Sequence, residues 1–454
     1  MKQILFVIGK GGPALEYALP KLAAQGNIHA LIIAPISDFN QKEVIKHCDS
    51  IKQTTLETTL RGNEMVEQIV SAAKEINADA IITFSEFAIW AVAESCKQLG
   101  LRGPGLNVAN ARDKLKMRMR WLETGVPGPN FRGVTSEVDL HKAFLELEKP
   151  FLLKPTLSAG SVGQYIIDYD TNLEEVWNTL VEEVNNTAST GAVEYMDDED
   201  INRFIAEEII KSSTESWYEE PGYGDYLSVE GIVVDGQYYP ICITSRLPTI
   251  PPFIEVSNQA PCVLAEDKQR KIEEIARKAV DTLGLETAGT HTEIKLMPDG
   301  ELCLIETAAR LPGAMVIREV EEAFGIDLIG LLAQALMGEK VELPSRMLVT
   351  GAKKAAATVA FIAANSRGES WSSSPVFDSE KIDWTKLVSP GTKVEVIEGV
   401  TIANGSPVPK FDLVAGALNF SGLFFVTATD PLTLKRDTYS LLNNLELVLG
   451  EKIK

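Results

Sequence analysis

Histidine is scarce in this 454-residue chain, which has four. Zinc chemistry built on histidine clusters is therefore set aside. Cysteine is hardly better represented. Cys48, Cys96, Cys242, Cys262 and Cys303 lie far apart, with neither metal-ligand spacing nor a redox pair, so a reducing cytoplasm is the expected compartment. Long hydrophobic runs are missing too. The longest nearly apolar stretch, Ala355 to Ala364, is ten residues including Thr358, whereas a membrane-spanning helix needs about twenty. The stretch Ile4 to Ile8 is too short for a secretory signal and runs straight into Gly9, Gly11 and Gly12. Positive charge is outnumbered: 43 Lys and Arg against 64 Asp and Glu give a net charge of −21. That balance excludes a protein that coats nucleic acid or an anionic membrane. It leaves nucleotide binding open wherever a few cations converge.

What is present is ordinary globular material, 45% hydrophobic and 24% charged, enough for about three domains. Apolar runs at Ile4–Ile8, His29–Ala34 and Asp79–Phe84 alternate with helical sequence, which predicts a parallel sheet. Gly9-Lys10-Gly11-Gly12 either cradles a phosphate or makes a tight strand-to-helix turn; it lacks the full dinucleotide and P-loop patterns. The alternation breaks near Gly100, Gly103, Pro104 and Gly105. A basic helix is expected over Asn110–Glu123, carrying Arg112, Lys114, Lys116, Arg118 and Arg120. Phe151 to Pro155 reads as a strand ending in Lys154. The small-residue loop Ser158 to Gly163 follows, and such loops let backbone N–H groups approach an anion. Asp235-Gly236 is a strong two-residue hairpin signal. A helix is expected over about Glu266–Leu283, and a final one near Thr433–Leu449.

The most informative stretch is His291 to Glu306. If Asp299-Gly300 is a two-residue turn, paired residues sum to 599 and Glu293 faces Glu306. Opposed carboxylates lie about 5 Å apart at Cβ and repel unless a cation or proton separates them; a hard cation such as Mg²⁺ needs such oxygen ligands. If Pro298-Asp299-Gly300 is instead a three-residue loop, the register slips by one and the glutamates part to opposite faces. Both registers remain open on the sequence. Arg310, four residues past Glu306, suits a substrate carboxylate or transition-state charge; a surface salt bridge is the plainer reading. His291 shares Glu293's face under strict alternation, as a supporting or core histidine.

Together these segments resemble the ATP-grasp superfamily over about residues 3–340. Leu101-Arg102-Gly103-Pro104-Gly105, Asn110-Ala111-Arg112-Asp113-Lys114, Phe204-Ile205-Ala206-Glu207-Glu208 and Thr290-His291-Thr292-Glu293-Ile294-Lys295-Leu296-Met297 are most similar to the bacilysin-type L-amino acid ligases. The resemblance implies an α/β and α+β multidomain chain: an N-terminal Rossmann-like parallel-sheet domain (1–108), a small or lid subdomain (109–205), a large subdomain with the metal site (206–345) and a C-terminal α+β cap (346–454). It implies ATP contacts at Lys116, Lys154, Ser161 and the hinge Glu207, Glu208, Ile209 and Ile210, and metal ligands at Glu293 and Glu306. The substrate residues would be Glu255, Asn258, Arg310, Gly313 and Ala314, with Lys154 and Arg310 catalytic. Two Mg²⁺ ions, with Mn²⁺ as a substitute, are expected. Ala308 stands where the superfamily often has an asparagine, and Ala314 where the related ligases carry tryptophan. The implied activity joins two L-amino acids through an aminoacyl phosphate, as in antibiotic biosynthesis, in a cytoplasmic enzyme and homodimer. The competing readings are a carboxylase-type ATP-grasp enzyme activating bicarbonate and a non-catalytic nucleotide-binding protein.

Overall fold

A computed structural model describes residues 1–54, 62–158, 163–188, 203–251, 253–412 and 419–450. Strands β1 (Gln3–Ile8), β2 (Asn27–Ile32), β3 (Ser50–Gln53) and β4 (Ala80–Thr83) form a sheet in the order β3-β2-β1-β4. All its pairings are parallel, as the strand–helix alternation predicts. Strand β3 was not visible in the sequence: Ser-Ile-Lys-Gln is exposed throughout and carries no apolar period.

The expected basic helix is two helices. Val108–Arg112 stops at Asp113, whose backbone is extended and whose carboxylate accepts from the N–H groups of Leu115 and Lys116 to start Lys114–Thr124. An aspartate at this position satisfies otherwise orphaned N–H groups and outweighs helix continuity. Met117 and Trp121 of the second helix bury against Leu227, Ile272 and Leu304, so this segment packs on the large sheet.

A four-stranded antiparallel sheet follows, built from β5 (Phe131–Val134), β6 (Phe151–Pro155), β7 (Tyr165–Ile167) and β8 (Phe204–Glu208) in the order β5-β8-β6-β7. Strand β8 thus lies in the lid sheet, across the 205/206 boundary drawn from sequence. The third sheet is the largest. Its strands β9 (Tyr226–Val234), β10 (Gln237–Arg246), β11 (Ser257–Ala260), β12 (Ala288–Leu296), β13 (Leu302–Ala308), β14 (Ala355–Phe361), β15 (Lys393–Val396) and β16 (Gly422–Ala428) run β13-β12-β9-β10-β11-β14-β16-β15. Asp235 and Gly236 both adopt positive φ in the β9–β10 turn, as the hairpin signal predicts. The C-terminal strands extend the large sheet, with Asn258 of β11 paired to Thr358 of β14. The long helices Glu266–Leu283 and Pro431–Gly450 appear where expected. No helix among the described residues is long and apolar enough to cross a membrane.

Candidate active site

Strands β12 and β13 resolve the register question by using both answers. Near the turn, Leu296 pairs with Leu302, Lys295 with Cys303 and Ile294 with Leu304, the register of the three-residue loop. One residue later the ladder shifts, and Glu293 faces Glu306. Ile305 is the extra residue of this β-bulge. Its physical basis is a conflict of faces. Leu302 and Leu304 are buried with Ile294 and Leu296 in the core, and strict alternation would send Glu306 after them. The inserted residue turns Glu306 to the other face, beside Glu293. Arg118 marks the bulge: its Nη2 donates to Ile305 O at 2.6 Å.

Cations gather around this pair. Lys114 Nζ lies 3.6 Å from Glu306 Oε2 and donates to Ser158 O at 2.6 Å. Its burial pulls the ammonium below its ordinary pKa, against the attraction of Glu306. Burial would raise the Glu306 pKa, but Lys114, Lys154 and Arg310 together hold it low. Lys116, the expected nucleotide lysine, is not brought here. It stands two residues further round the helix, about 200° from Lys114, and is half-exposed. Lys114 and Arg118, one turn apart, share the inward face that the sequence assigned to Lys116.

Lys154 Nζ contacts Glu207 Oε2 at 2.5 Å, and Arg118 Nε contacts Glu207 Oε1 at 2.6 Å, all three nearly fully buried. The two cations outweigh the burial cost and keep Glu207 ionised. Glu208 points elsewhere, accepting from Asn130 Nδ2 at 2.8 Å and Glu148 N at 3.0 Å. Ile209 and Ile210 follow β8 as half-buried residues. Ser161 lies outside the described residues.

Arg310 Nε meets Glu86 Oε2 at 2.7 Å, and Arg112 Nε lies 3.8 Å from the other oxygen of Glu86. Glu86 follows β4, at the carboxyl edge of the parallel sheet, where open α/β sheets place ligands. The sequence reading missed it, because nothing local ties residue 86 to residue 310. His291 shares the face of Glu293 as alternation predicts: Nδ1 is 2.8 Å from Glu230 Oε2 and Nε2 is 3.5 Å from Glu293 Oε1. Burial alone would lower the imidazole pKa, but the two carboxylates push it up to about 9. His291 thus stands between Glu230 and Glu293 and supports the Glu293 carboxylate. Opposite it stands Ala308, the position at which an asparagine was expected.

Of the residues expected on the substrate side, Asn258 lies further along the same sheet, on β11, and Glu255 just precedes that strand. In cross-strand order, Glu293 pairs with Ser228, and Ser228 with Thr244. Arg246, two residues beyond Thr244, pairs with Asn258, and Glu255 Oε1 lies 3.6 Å from Arg246 Nε. Gly313 and Ala314 sit against the N-terminal glycine loop: Ala314 bridges Pro13 and holds φ of 53°. In that loop a Cβ on Gly9 would come within 2.6 Å of Ser85 Oγ and one on Gly12 within 2.7 Å of Phe84 Cβ, while Gly11 holds φ of 80°, so close packing and turn geometry favour the tight-turn reading.

Comparisons with known proteins bear on the family and the fold. Residues 147–318 match the family model described as ATP-grasp domain. Over 321 residues the chain is 39% identical to alanine–anticapsin ligase of Bacillus subtilis, covering 70% of this chain and 67% of that protein. An L-arginine-specific L-amino acid ligase of Bacillus subtilis is 26% identical over 253 residues, 55% of each chain. Among solved structures, an L-amino acid ligase from Bacillus licheniformis superposes with a TM-score of 0.72 at 20% identity over 97% of both chains. A biotin carboxylase from Campylobacter jejuni reaches 0.68 at 17% identity, over 97% of this chain and 94% of that one.

Proposed function

Because the chain belongs to the ATP-grasp ligases, in the family of the alanine–anticapsin ligases, we propose that it joins two L-amino acids into a dipeptide, converting ATP to ADP and phosphate. The observation that carries this reading is the opposition of Glu293 and Glu306 on one face, ringed by Lys114, Lys154 and Arg310.

A carboxylate does not react with an amine at neutral pH. Its oxygen first attacks the γ-phosphorus of ATP, ADP leaves, and an acyl phosphate forms. The amine of the second amino acid then attacks the acyl carbon; the C–O bond to phosphate breaks and the amine loses a proton. Glu293 and Glu306 fit a divalent ion: two carboxylates facing each other beside cations are poised to share one, and no larger group of acidic, histidine or cysteine ligands exists among the described residues, so phosphate oxygens and water would complete the shell. Magnesium held by Glu293 and Glu306 would supply Lewis-acid stabilisation of the negative charge that develops during phosphoryl transfer. Two magnesium ions, replaceable by manganese, complete this part of the reading.

Lys114 and Lys154 would balance the phosphate charge, with Glu207 holding Lys154 in place. Arg310, oriented by Glu86, would steady the acyl phosphate and the tetrahedral oxyanion. The loop from Ser158 to Gly163 would exclude water from the intermediate. His291 and Glu230 would keep Glu293 aligned. The residue counterpart of Lys116 in this mechanism is Lys114. The five cysteines are free thiols, which supports a cytoplasmic setting.

The test is ADP release from MgATP with all pairs of amino acids, with products identified by mass. Release that needs two amino acids and yields their condensation product supports the reading. Release driven by bicarbonate without amino acids would move the chain to the carboxylase-type enzymes, and none with any partner would leave a nucleotide-binding protein.

A further inference from the structure

Arg246 is a buried cation of the large sheet that the mechanism above does not use. It ends β10 with a side chain 2% exposed. Its guanidinium lies 5.4 Å from the ring centroid of Tyr226. Nη1 donates to Thr244 O, Thr244 Oγ1 and Ser245 O at 3.2–3.4 Å, and Nη2 to Ser228 Oγ at 2.9 Å. These bonds fix the guanidinium plane. They leave the edge formed by Nε–H and the second Nη2 hydrogen. Among the described residues Nε has no hydrogen-bond acceptor; its nearest acid, Glu255 Oε1, is 3.6 Å away, half-exposed and already held by the Tyr226 hydroxyl. Burial opposes the charge, but Glu255 and the neighbouring carboxylates keep the guanidinium ionised. A second buried polar atom, Asn258 Oδ1, also lacks a partner directly across the strand pair. A buried donor without an acceptor costs stability unless a ligand supplies one, and a planar edge of two parallel N–H groups matches a carboxylate.

We infer that the open edge of Arg246 binds the α-carboxylate of the incoming amino acid, the one whose amine attacks the acyl phosphate. The inference rests on the ligase reading above. Dipeptide formation involves two carboxylates with different fates. The activated one is consumed beside the phosphates, at Glu293, Glu306 and Arg310. The other survives into the product and needs a permanent counter-charge away from the phosphates. Arg246 sits on β10, two strands from Glu293 on β12, about 10 Å across the sheet, and one pleat further along. That offset is roughly the reach of the second residue of a dipeptide. Glu255, beside it, then faces the amino acid's nitrogen and can take its proton before attack, while Asn258 Oδ1 offers a second acceptor to the same group.

The test uses acceptors that differ only at the group Arg246 reads. A panel of amino acids and their α-carboxamides is compared as second substrate, since an amide keeps the amine but loses the carboxylate; the first substrate must stay a free acid to be activated. The wild-type enzyme is expected to prefer the free acid over its amide by tenfold or more in kcat/KM. Arg246→Gln should raise KM for the free acid at least tenfold and leave KM for the amide and for ATP within about threefold, so that the preference vanishes. Arg246→Lys, which keeps the charge and loses the fork, should retain part of it and serves if the glutamine variant fails to fold. Equal losses for acid and amide, or an unchanged preference, overturn the inference. A wild-type enzyme that releases no ADP with any amino acid pair refutes the ligase reading itself, a separate outcome.

Discussion

Substituting Lys114 and Lys116 in turn separates two lysines that the sequence could not rank. Lys114 Nζ is 3.6 Å from Glu306 and 2.6 Å from Ser158 O, with a side chain only 10% exposed. Removing a charge-assisted hydrogen bond in such a setting costs about 1.5–3 kcal/mol, which at about 1.4 kcal/mol per decade is roughly a 10- to 150-fold weakening of MgATP. Lys116 lies about 200° round the helix from that contact, half in solvent, where a surface substitution moves energies by about 0.5 kcal/mol or less. Lys114→Met should therefore raise KM for ATP at least tenfold in an ADP-release assay, and Lys116→Ala less than threefold. Titration calorimetry with ADP and magnesium, alongside a melting curve, separates lost affinity from lost fold. If Lys116→Ala weakens ATP more than Lys114→Met does, the assignment of the inward helix face is wrong.

Glu293→Gln and Glu306→Gln should each abolish ATP turnover at saturating magnesium without unfolding the chain; near-native ADP release from either would end the metal-pair reading. Ala314→Trp should shift kcat/KM toward smaller amino acids while ATP affinity holds; an unchanged size preference would remove residue 314 from the pocket wall. Glu319 is fully buried, accepts from Thr358 N and Oγ1 at 2.9 and 2.6 Å, and burial pushes its pKa up to about 8. The folded state therefore keeps a proton that the unfolded chain loses near pH 4.3, so this group's contribution to stability falls as pH rises from about 4.3 to 8. Glu319→Gln should flatten the decline in urea midpoint between pH 6 and 8; identical slopes in the two proteins would count against a neutral Glu319.

Local chemistry was legible where one stretch of chain contains the whole argument. The parallel sheet, the Asp235-Gly236 turn and the helix Glu266–Leu283 all follow from period and turn residues. The glutamate pair holds for a reason that alternation does not contain, since the three-residue turn formed and the bulge at Ile305 restored the pairing. The lysine assignment slipped by two because Asp113 caps a new helix inside an otherwise continuous basic run. Glu86 and Arg246 were illegible for another reason. Each acquires its meaning from residues brought near only by the fold, Arg310 for the first and Ser228 with Tyr226 for the second. That the C-terminal strands continue the large sheet was not legible, because strand order across a sheet leaves no local mark.

That strand order sets a timetable for the substrate pocket during synthesis. Asn258 on β11 pairs on one side with Arg246, a dozen residues earlier, and on the other with Thr358, roughly 100 residues later. At about 5–20 residues per second, the ribosome exposes β11 for roughly 5–20 seconds before β14 can cover it. Throughout that interval the strand is a bare edge, able to pair with any other nascent chain. The hairpin that carries Glu293 and Glu306 is complete sooner, since β12 and β13 are neighbours in sequence and in space. The chain therefore assembles the end that carries the opposed glutamates first, and the wall that holds Asn258 beside Arg246 waits for its last strands.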